Sequence, residues 1–184
     1  GRLMMMAGTV DDNFAEVSRI LIKSRKDSIP PLSLPLKGMS YVQTGASVGT
    51  KHNPVFKLEM QHDGIDFIAP QGAPVYATGS GLVTKVTHSR KGLGNIVEVN
   101  HGNGYVSRYC LLGDINIYQS MYVRRGQKIG EVGVSNGVSA PHLHYELWHK
   151  GEVCDPVHYL FASLTPEEYS RMMYMSASTP QSLD

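Results

Sequence analysis

Apolar and polar positions alternate over short runs through the middle of the chain, and glycines punctuate the runs. The segments at 74–77, 81–88, 95–100, 105–110, 122–124, 128–132 and 142–149 each read as a strand. In the last of these, Leu143, Tyr145 and Leu147 alternate with His142, His144, Glu146 and Trp148, so one face packs and the other presents histidines. Turn signals stand at 90–94 and 101–104. Strands at this density predict a mainly β fold, an antiparallel sandwich or barrel-like sheet. Residues 55–60 extend toward a turn at His62, and the polar stretch 45–54 before them reads as a loop.

A helical period replaces the alternation near both ends. Phe14, Val17 and Leu21 recur at helical spacing with Ile20 alongside, Asp11 or Asp12 offers a cap, and Lys23, Arg25 and Lys26 suit the C-terminal end of a helix over 11–26. Pro30, Pro31 and Pro35 make 27–47 an extended connector. Residues 164–175 predict a second helix, opened by the capping box Thr165-Pro166-Glu167-Glu168. The Ser/Thr/Gln-rich tail 176–184 is expected to fray. The expected organisation is an N-terminal helix and connector over 1–44, a β domain over 45–162, and a C-terminal helix and tail over 163–184.

Composition narrows this picture. A length of 184 residues suits one domain, and 41% hydrophobic residues suffice for a core. A formal net charge of +1 gives no electrostatic case for a nucleic-acid partner. Cys110 and Cys154 do not make a disulfide framework; their strand-like apolar surroundings favour free thiols. No apolar run approaches the roughly 20 residues that span a bilayer. The chain begins at Gly1, as the trimmed soluble part of a longer protein would, so a signal or membrane anchor is expected outside it. Oligomeric state is not legible.

The candidate chemistry lies in two distant stretches, Gln-His-Asp-Gly-Ile-Asp-Phe-Ile-Ala-Pro over 61–70 and Ala-Pro-His-Leu-His-Tyr-Glu over 140–146. They offer His62, Asp66, His142 and His144, nitrogen and carboxylate donors suited to zinc. In one extended strand His62 and Asp66 would stand about 13 Å apart, at about 3.3 Å per residue. Two ligands of one ion must come far closer, so the chain has to fold back, and Asp63-Gly64 is a turn dipeptide in the right place. His142 and His144, two apart, share a strand face. A single His is more often a surface or hydrogen-bonded core residue, and each short motif is weak alone. The glycine-flanked segments 72–83 and 123–132 also occur in lipoyl- and biotinyl-carrier barrels, but no lysine sits at a hairpin tip between suitable residues, and fold-level likeness does not give function.

With these residues in place, 49–160 resembles the lysostaphin/LytM-type zinc metallopeptidases, which cut peptide cross-links of bacterial peptidoglycan. The resemblance is carried by 62–77, Gly94-Asn-Ile-Val-Glu-Val-Asn-His-Gly-Asn-Gly-Tyr-Val over 94–106, Gly-Gln-Lys-Ile-Gly over 126–130, the stretch 140–146, and Asp155-Pro156. The flanking helices look like those of Bacteroidetes-like relatives. The resemblance implies that His62, Asp66 and His144 hold one zinc per chain, with a position open for water, and that His142 is catalytic. It implies peptidoglycan peptides as substrate and a periplasmic or cell-envelope location. There is no His-Glu-x-x-His sequence and so no glutamate base of the thermolysin sort.

One departure stands out. The family carries Tyr-x-His-Leu where this chain reads Tyr109-Cys110-Leu111-Leu112, so Leu111 replaces the second catalytic histidine. The approach loop, Gly49-Thr-Lys-His-Asn-Pro54, also departs from the family's Gly-x-Arg-x-His-Pro. The expected activity is therefore a zinc endopeptidase, weakened at Leu111; the rival expectation is a catalytically silent zinc-bearing domain that binds peptidoglycan or regulates another hydrolase. Loops at 45–54, 88–94 and 133–140 are expected to wall a substrate groove. His52 could reach the cleft from its loop. His101 reads as a structural turn residue, and His88, His149 and His158 as surface or packing residues.

Overall fold

The alternating runs pair into one large antiparallel sheet in the computed structural model, which describes residues 30–38, 43–134 and 140–184. The strands are β1 (Gly49–Asn53), β2 (Leu58–His62), β3 (Ile65–Ile68), β4 (Pro74–Tyr76), β5 (Gly81–Thr87), β6 (Asn95–Gly102), β7 (Tyr105–Ile115), β8 (Tyr122–Val123), β9 (Lys128–Val132), β10 (His142–His149) and β11 (Glu152–Cys154). Nine of them form a sheet with the order β11-β10-β7-β6-β5-β8; β3 also pairs β10, and β9 pairs both β4 and β7. The hairpin β1–β2 stands apart from it. The mainly β, antiparallel expectation holds. The helix expected over 11–26 lies outside the described residues.

The sheet buries one face of β10, Leu143, Tyr145 and Leu147, with Ile65, Phe67, Val97, Val99 and Tyr109. A polar chain crosses this core. Tyr145 Oη and Tyr109 Oη each lie 2.9 Å from Thr78 Oγ1, Ser107 Oγ donates to Tyr109 Oη, and His101 Nε2 meets Ser107 Oγ at 2.7 Å. His101 Nδ1 closes the chain on the Ser80 carbonyl at 2.8 Å. Buried hydroxyls and imidazoles need such partners, since an unpaired one costs about 1–3 kcal/mol. His101 is therefore structural, as expected, but it lies in β6 rather than in a turn.

Several local expectations change. The polar stretch read as a loop contains β1, and Val55 and Phe56, read as strand, sit on the turn between β1 and β2. Asn53 decides this: its Oδ1 accepts from the backbone N–H of both Val55 and Phe56 at 2.9 Å, a side-chain-closed turn. Strand β7 runs five residues past Cys110 through a bulge at Leu111, whose φ is +60°. The Leu111 N–H donates to the Leu93 carbonyl and its carbonyl accepts from Gly133 N–H, so both backbone groups of Leu111 are paired in the bulge. Both cysteines are free, Cys110 fully buried.

The C-terminal helix α1 (Pro166–Ser178) forms with both halves of the predicted capping box, and it buries Tyr169 and Met172 against the core. The tail after it does not fray. His52 N–H donates to the Pro180 carbonyl at 2.9 Å, Ser182 N–H donates to the His52 carbonyl at 3.1 Å, and Gln181 pairs with His52 in parallel. The tail thus adds to the free edge of β1 through backbone groups, which its polar composition neither favours nor forbids. Among the described residues no helix is long and apolar enough to cross a membrane.

Burial pulls the pKa of His101 down to about 4, against the opposing bond to the Ser80 carbonyl. The unfolded chain takes up a proton near pH 6.5 that the folded chain refuses until about pH 4. Stability from this residue is therefore complete above pH 6.5 and is lost as pH falls toward 4, by on the order of 3 kcal/mol. Urea unfolding at pH 7 and pH 4 should show a pH loss smaller by about that amount in His101→Gln. An equal loss in both proteins would remove His101 as the cause.

Candidate metal centre

The two chemical stretches meet because β3 lies antiparallel along one edge of β10, with Asp66 directly opposite His144 and Ile68 opposite His142. Cross-strand partners point to the same side of a sheet, so Asp66 joins the face that carries His142 and His144. His62 ends β2, Ile65 starts β3, and the chain bends between them at Asp63-Gly64, the turn dipeptide. Gly64 is needed there: a Cβ would run into the backbone carbonyl of Tyr145. The turn can therefore lie flat on β10, which brings His62 back over Asp66.

Asp66 Oδ1 lies 3.1 Å from His62 Nε2 and 3.0 Å from His144 Nδ1. A fourth residue, absent from the sequence expectation, completes the group. Asp184 Oδ2 is 2.9 Å from His144 Nδ1, and its Oδ1 is 3.3 Å from His62 Nε2. One donor atom from each of His62, Asp66, His144 and Asp184 lies within 4.8 Å of all the others. Donors at about 2.0–2.1 Å from one tetrahedral zinc stand about 3.3 Å apart, so these separations fit that ion. No signal in the sequence marks Asp184, because the tail that carries it has neither a motif nor a strand pattern.

The remaining ring nitrogens are fixed from behind. His62 Nδ1 donates to the Ser47 carbonyl at 2.9 Å, leaving Nε2 to face the group. His144 Nε2 donates to Glu146 Oε1 at 3.1 Å, leaving Nδ1 to face it. Glu146 is held in turn by Arg108 Nη1 at 2.7 Å and Trp148 Nε1 at 2.8 Å. Outer partners of this kind set the tautomer and orientation of ligand histidines. The His-x-His-x-Glu spacing contains this partner, since residues i and i+2 share a strand face. His142 Nδ1 donates to the Ala140 carbonyl at 2.8 Å, and its Nε2 faces Asp66 Oδ1 at 3.7 Å.

The face of β10 expected to line an open cleft is itself covered: His142, His144 and Glu146 are each no more than 2% exposed. Burial opposes protonation of both site histidines, yet the carboxylates of Asp184 and Asp66 outweigh it. His62 is pushed up to about 9, and His144 well above its ordinary value, with Glu146 adding to the effect. Burial also works against ionised Asp66 and Asp184, but the histidines hold both below the usual carboxylate range. Two buried carboxylates thus draw positive charge into one small space. His142 Nε2 and Asp184 Oδ1, 4.0 Å apart, are buried there without hydrogen-bond partners. Orphaned atoms among anionic donors are what a site for a bound cation presents.

Beside the group opens a cleft of about 330 Å³. Val55, Phe56 and Met60 of the β1–β2 hairpin line it together with Leu93, and His62, His144 and Asp184 lie at its floor. The expected walls at 45–54 and 88–94 are present through Asn53, Gly92 and Leu93. Of the third expected wall, 135–139 lies outside the described residues. The His52 side chain pairs with Glu59 at 3.4 Å and is not among the residues lining the cleft; its backbone instead holds the tail. His149 stacks on Tyr105, with ring centroids 4.1 Å apart. His88 lines a separate surface cavity, and His158 ends a 3-10 turn. Cys110 stands opposite His144 on β7, but burial pushes its thiol up to about 12, so it stays protonated.

This constellation on this sheet defines a metallopeptidase-type domain, and residues 60–156, just over half of the chain, match the model of peptidase family M23. The chain belongs to that family, with the lysostaphin/LytM-type peptidases. Peptidoglycan DD-endopeptidase ShyA of Vibrio cholerae is 43% identical over 99 residues, which are 54% of this chain and 23% of ShyA. A zinc-containing peptidase from Vibrio cholerae superposes with a TM-score of 0.62 at 30% identity, over 76% of this chain and 41% of that one. The catalytic domain of lysostaphin from Staphylococcus simulans gives a TM-score of 0.55 at 29% identity, over 61% of this chain and 87% of that one. The chain spans about a quarter of the length of ShyA.

Glu146→Gln keeps the shape of the side chain but weakens its hold on His144. Zinc affinity should fall about 10–100-fold, the usual cost of losing an outer partner. Competition against a chromophoric chelator measures this, and an unchanged affinity would detach Glu146 from the site.

Proposed function

We propose that the chain is the zinc-dependent endopeptidase domain of a cell-envelope protein, acting on the peptide cross-links of peptidoglycan at a rate limited by Leu111. The observation that carries this reading is the buried donor set of His62, Asp66 and His144 at the floor of an apolar-walled cleft. ShyA, a peptidoglycan endopeptidase, supports the substrate class. A periplasmic or envelope location follows from that substrate.

In this reading His62, Asp66 and His144 hold the zinc through Nε2, a carboxylate oxygen and Nδ1. Bound there, zinc supplies Lewis acidity and a water whose pKa is brought to about 7. In this reading His142 would hold or return a proton at Nε2, with its other nitrogen donating to the Ala140 carbonyl. Val55, Phe56, Met60 and Leu93 give the cleft apolar walls against which an extended peptide can shed water.

Leu111 can neither donate a proton nor stabilise developing negative charge. It is buried, yet it stands outside the main core cluster, and it adopts a left-handed backbone conformation unusual for a leucine. A leucine here surrenders acid–base help worth about 10²–10⁴-fold in rate. That loss favours a second reading, a zinc-bearing domain that binds peptidoglycan without cutting it or regulates another hydrolase.

Elemental analysis should find about one zinc per chain, sharply reduced in Asp66→Ala and His144→Ala and much less so in His142→Ala. Equal content in all three variants would overturn the ligand assignment. Histidine is several-fold enriched in left-handed backbone conformations, so the bulge should accept Leu111→His. This variant should cleave cross-linked muropeptides at least about tenfold faster than the native protein, a modest share of what an acid–base group contributes. Native protein as fast as the variant, both fully zinc-loaded, would mean that another residue supplies the function. Cleavage by neither would favour the silent domain.

A further inference from the structure

Asp184 lies outside the stretch that matches the family model, yet it reaches the centre of the site. We propose that the Asp184 carboxylate is the fourth protein ligand of the metal. Residues 180–184 then occupy the seat that an extended peptide substrate would take, and the domain folds with its own tail closing its site. The inference rests on the zinc-peptidase reading above and names what fills the open position of that site.

Three sets of observations converge on it. The first is the donor geometry: Asp184 Oδ2 and Oδ1 approach His144 Nδ1 and His62 Nε2 at 2.9 and 3.3 Å, beside 3.0 and 3.1 Å for Asp66 Oδ1 and the same two atoms. Asp184 Oδ1 is buried without a hydrogen-bond partner, a costly state for a carboxylate oxygen unless a cation meets it.

The second is charge. Two neutral imidazoles, one carboxylate and a divalent zinc leave a net charge of about +1 and a place for water, the open arrangement of catalytic sites. A second carboxylate brings the sum to zero and the protein ligands to four, the closed arrangement of structural sites. With Asp184 in place the site is neutral and coordinatively filled.

The third is how the tail is held. Pro180 and Ser182 bond to the two backbone groups of His52, and Asn53 Nδ2 donates to the Asp184 carbonyl at 2.7 Å. Leu183 N–H donates to Asp66 Oδ2 at 2.9 Å, so the tail backbone also engages a metal ligand of the domain. Addition of a strand to a free edge is a general mode of peptide recognition in which the backbone supplies the affinity. The same edge would take a substrate peptide parallel to β1, with an oxygen where Asp184 stands, and Ser182 and Asp184 already lie in the apolar-walled cleft. An open fraction of the domain sets how much site is available, and it scales native and Leu111→His rates alike, so their ratio survives closure.

The test compares native protein with Asp184→Ala and Asp184→Asn. The Asn variant keeps the side-chain shape and the backbone docking, so it separates lost ligation from lost folding. Zinc affinity, read by chelator competition, should fall about tenfold or more in both. Cobalt-loaded native protein should show no change in visible absorption on adding acetohydroxamate, a small metal-binding anion. Both variants should bind it with a clear spectral shift, at least tenfold more tightly than native. If the variants match native protein in both measurements while Asp66→Ala loses the metal, the tail is not a ligand and the zinc-peptidase reading stands. If native protein takes up neither zinc nor cobalt, both readings fall.

Discussion

The pairing of β3 with β10 is the constraint on which the site depends. Its register sets Asp66 against His144 and keeps His142 on the same face. A slip of one residue would turn Asp66 into the core, where Ile65 and Phe67 now sit, and dissolve the group. The register is secured from the opposite face by Leu143, Tyr145 and Leu147, whose burial leaves β10 no freedom to shift. It also depends on Gly64, the residue that lets the bend before β3 touch the backbone of β10. The apolar packing of the sheet and the polar chemistry of the site are two faces of one pairing.

Around that pairing the chain gathers more negative charge than an uncompensated interior would tolerate. Asp66 and Asp184 meet His62 and His144 largely shielded from water, and the imidazoles respond by holding protons more tightly than they would in solution. A cation replacing those protons would satisfy the same carboxylates. The bonds to the Ser47 carbonyl and to Glu146 aim the free nitrogens inward in advance, so little reorganisation is asked of the ligands. Arg108 and Trp148 extend this preparation one layer further, onto the neighbouring strand β7 and along β10.

Under the proposed zinc-peptidase reading, binding and turnover are separable. The candidate donors His62, Asp66, His144 and Asp184 and the groups that hold them are assembled beside an apolar-walled cleft. In the proposed reading, Leu111 lowers catalytic help while residues 180–184 lower access to the donor group. Neither feature disturbs the sheet. The bulge at Leu111 satisfies its backbone through Leu93 and Gly133, and the tail docks onto an edge that β1 leaves free.

Much of this was legible in the chain. Period-two alternation marked the strands because successive side chains of a strand face opposite ways, and the capping box marked the start of α1 because it satisfies donors that the helix cannot. His62, Asp66, His142 and His144 announced themselves through spacing, which limits how a backbone can bring donors together. The β1 strand was obscured by polar residues suited to an exposed hairpin, and the tip at Val55 and Phe56 was misplaced because the decisive bonds come from the Asn53 side chain. Glu146 was visible as a residue, but its role needed the rotamer of His144. The place of the tail lay beyond reading from local pattern: its docking is made mostly by backbone groups that every residue shares, and Asp184 finds its partners on distant strands, at His144, His62 and Asn53. The sequence by itself determined the strands, the turn and the ligand types, which are local properties. The tertiary structure decided which edge was free, what lay on it and which carboxylate reached the metal group, because those depend on the closure of the whole sheet.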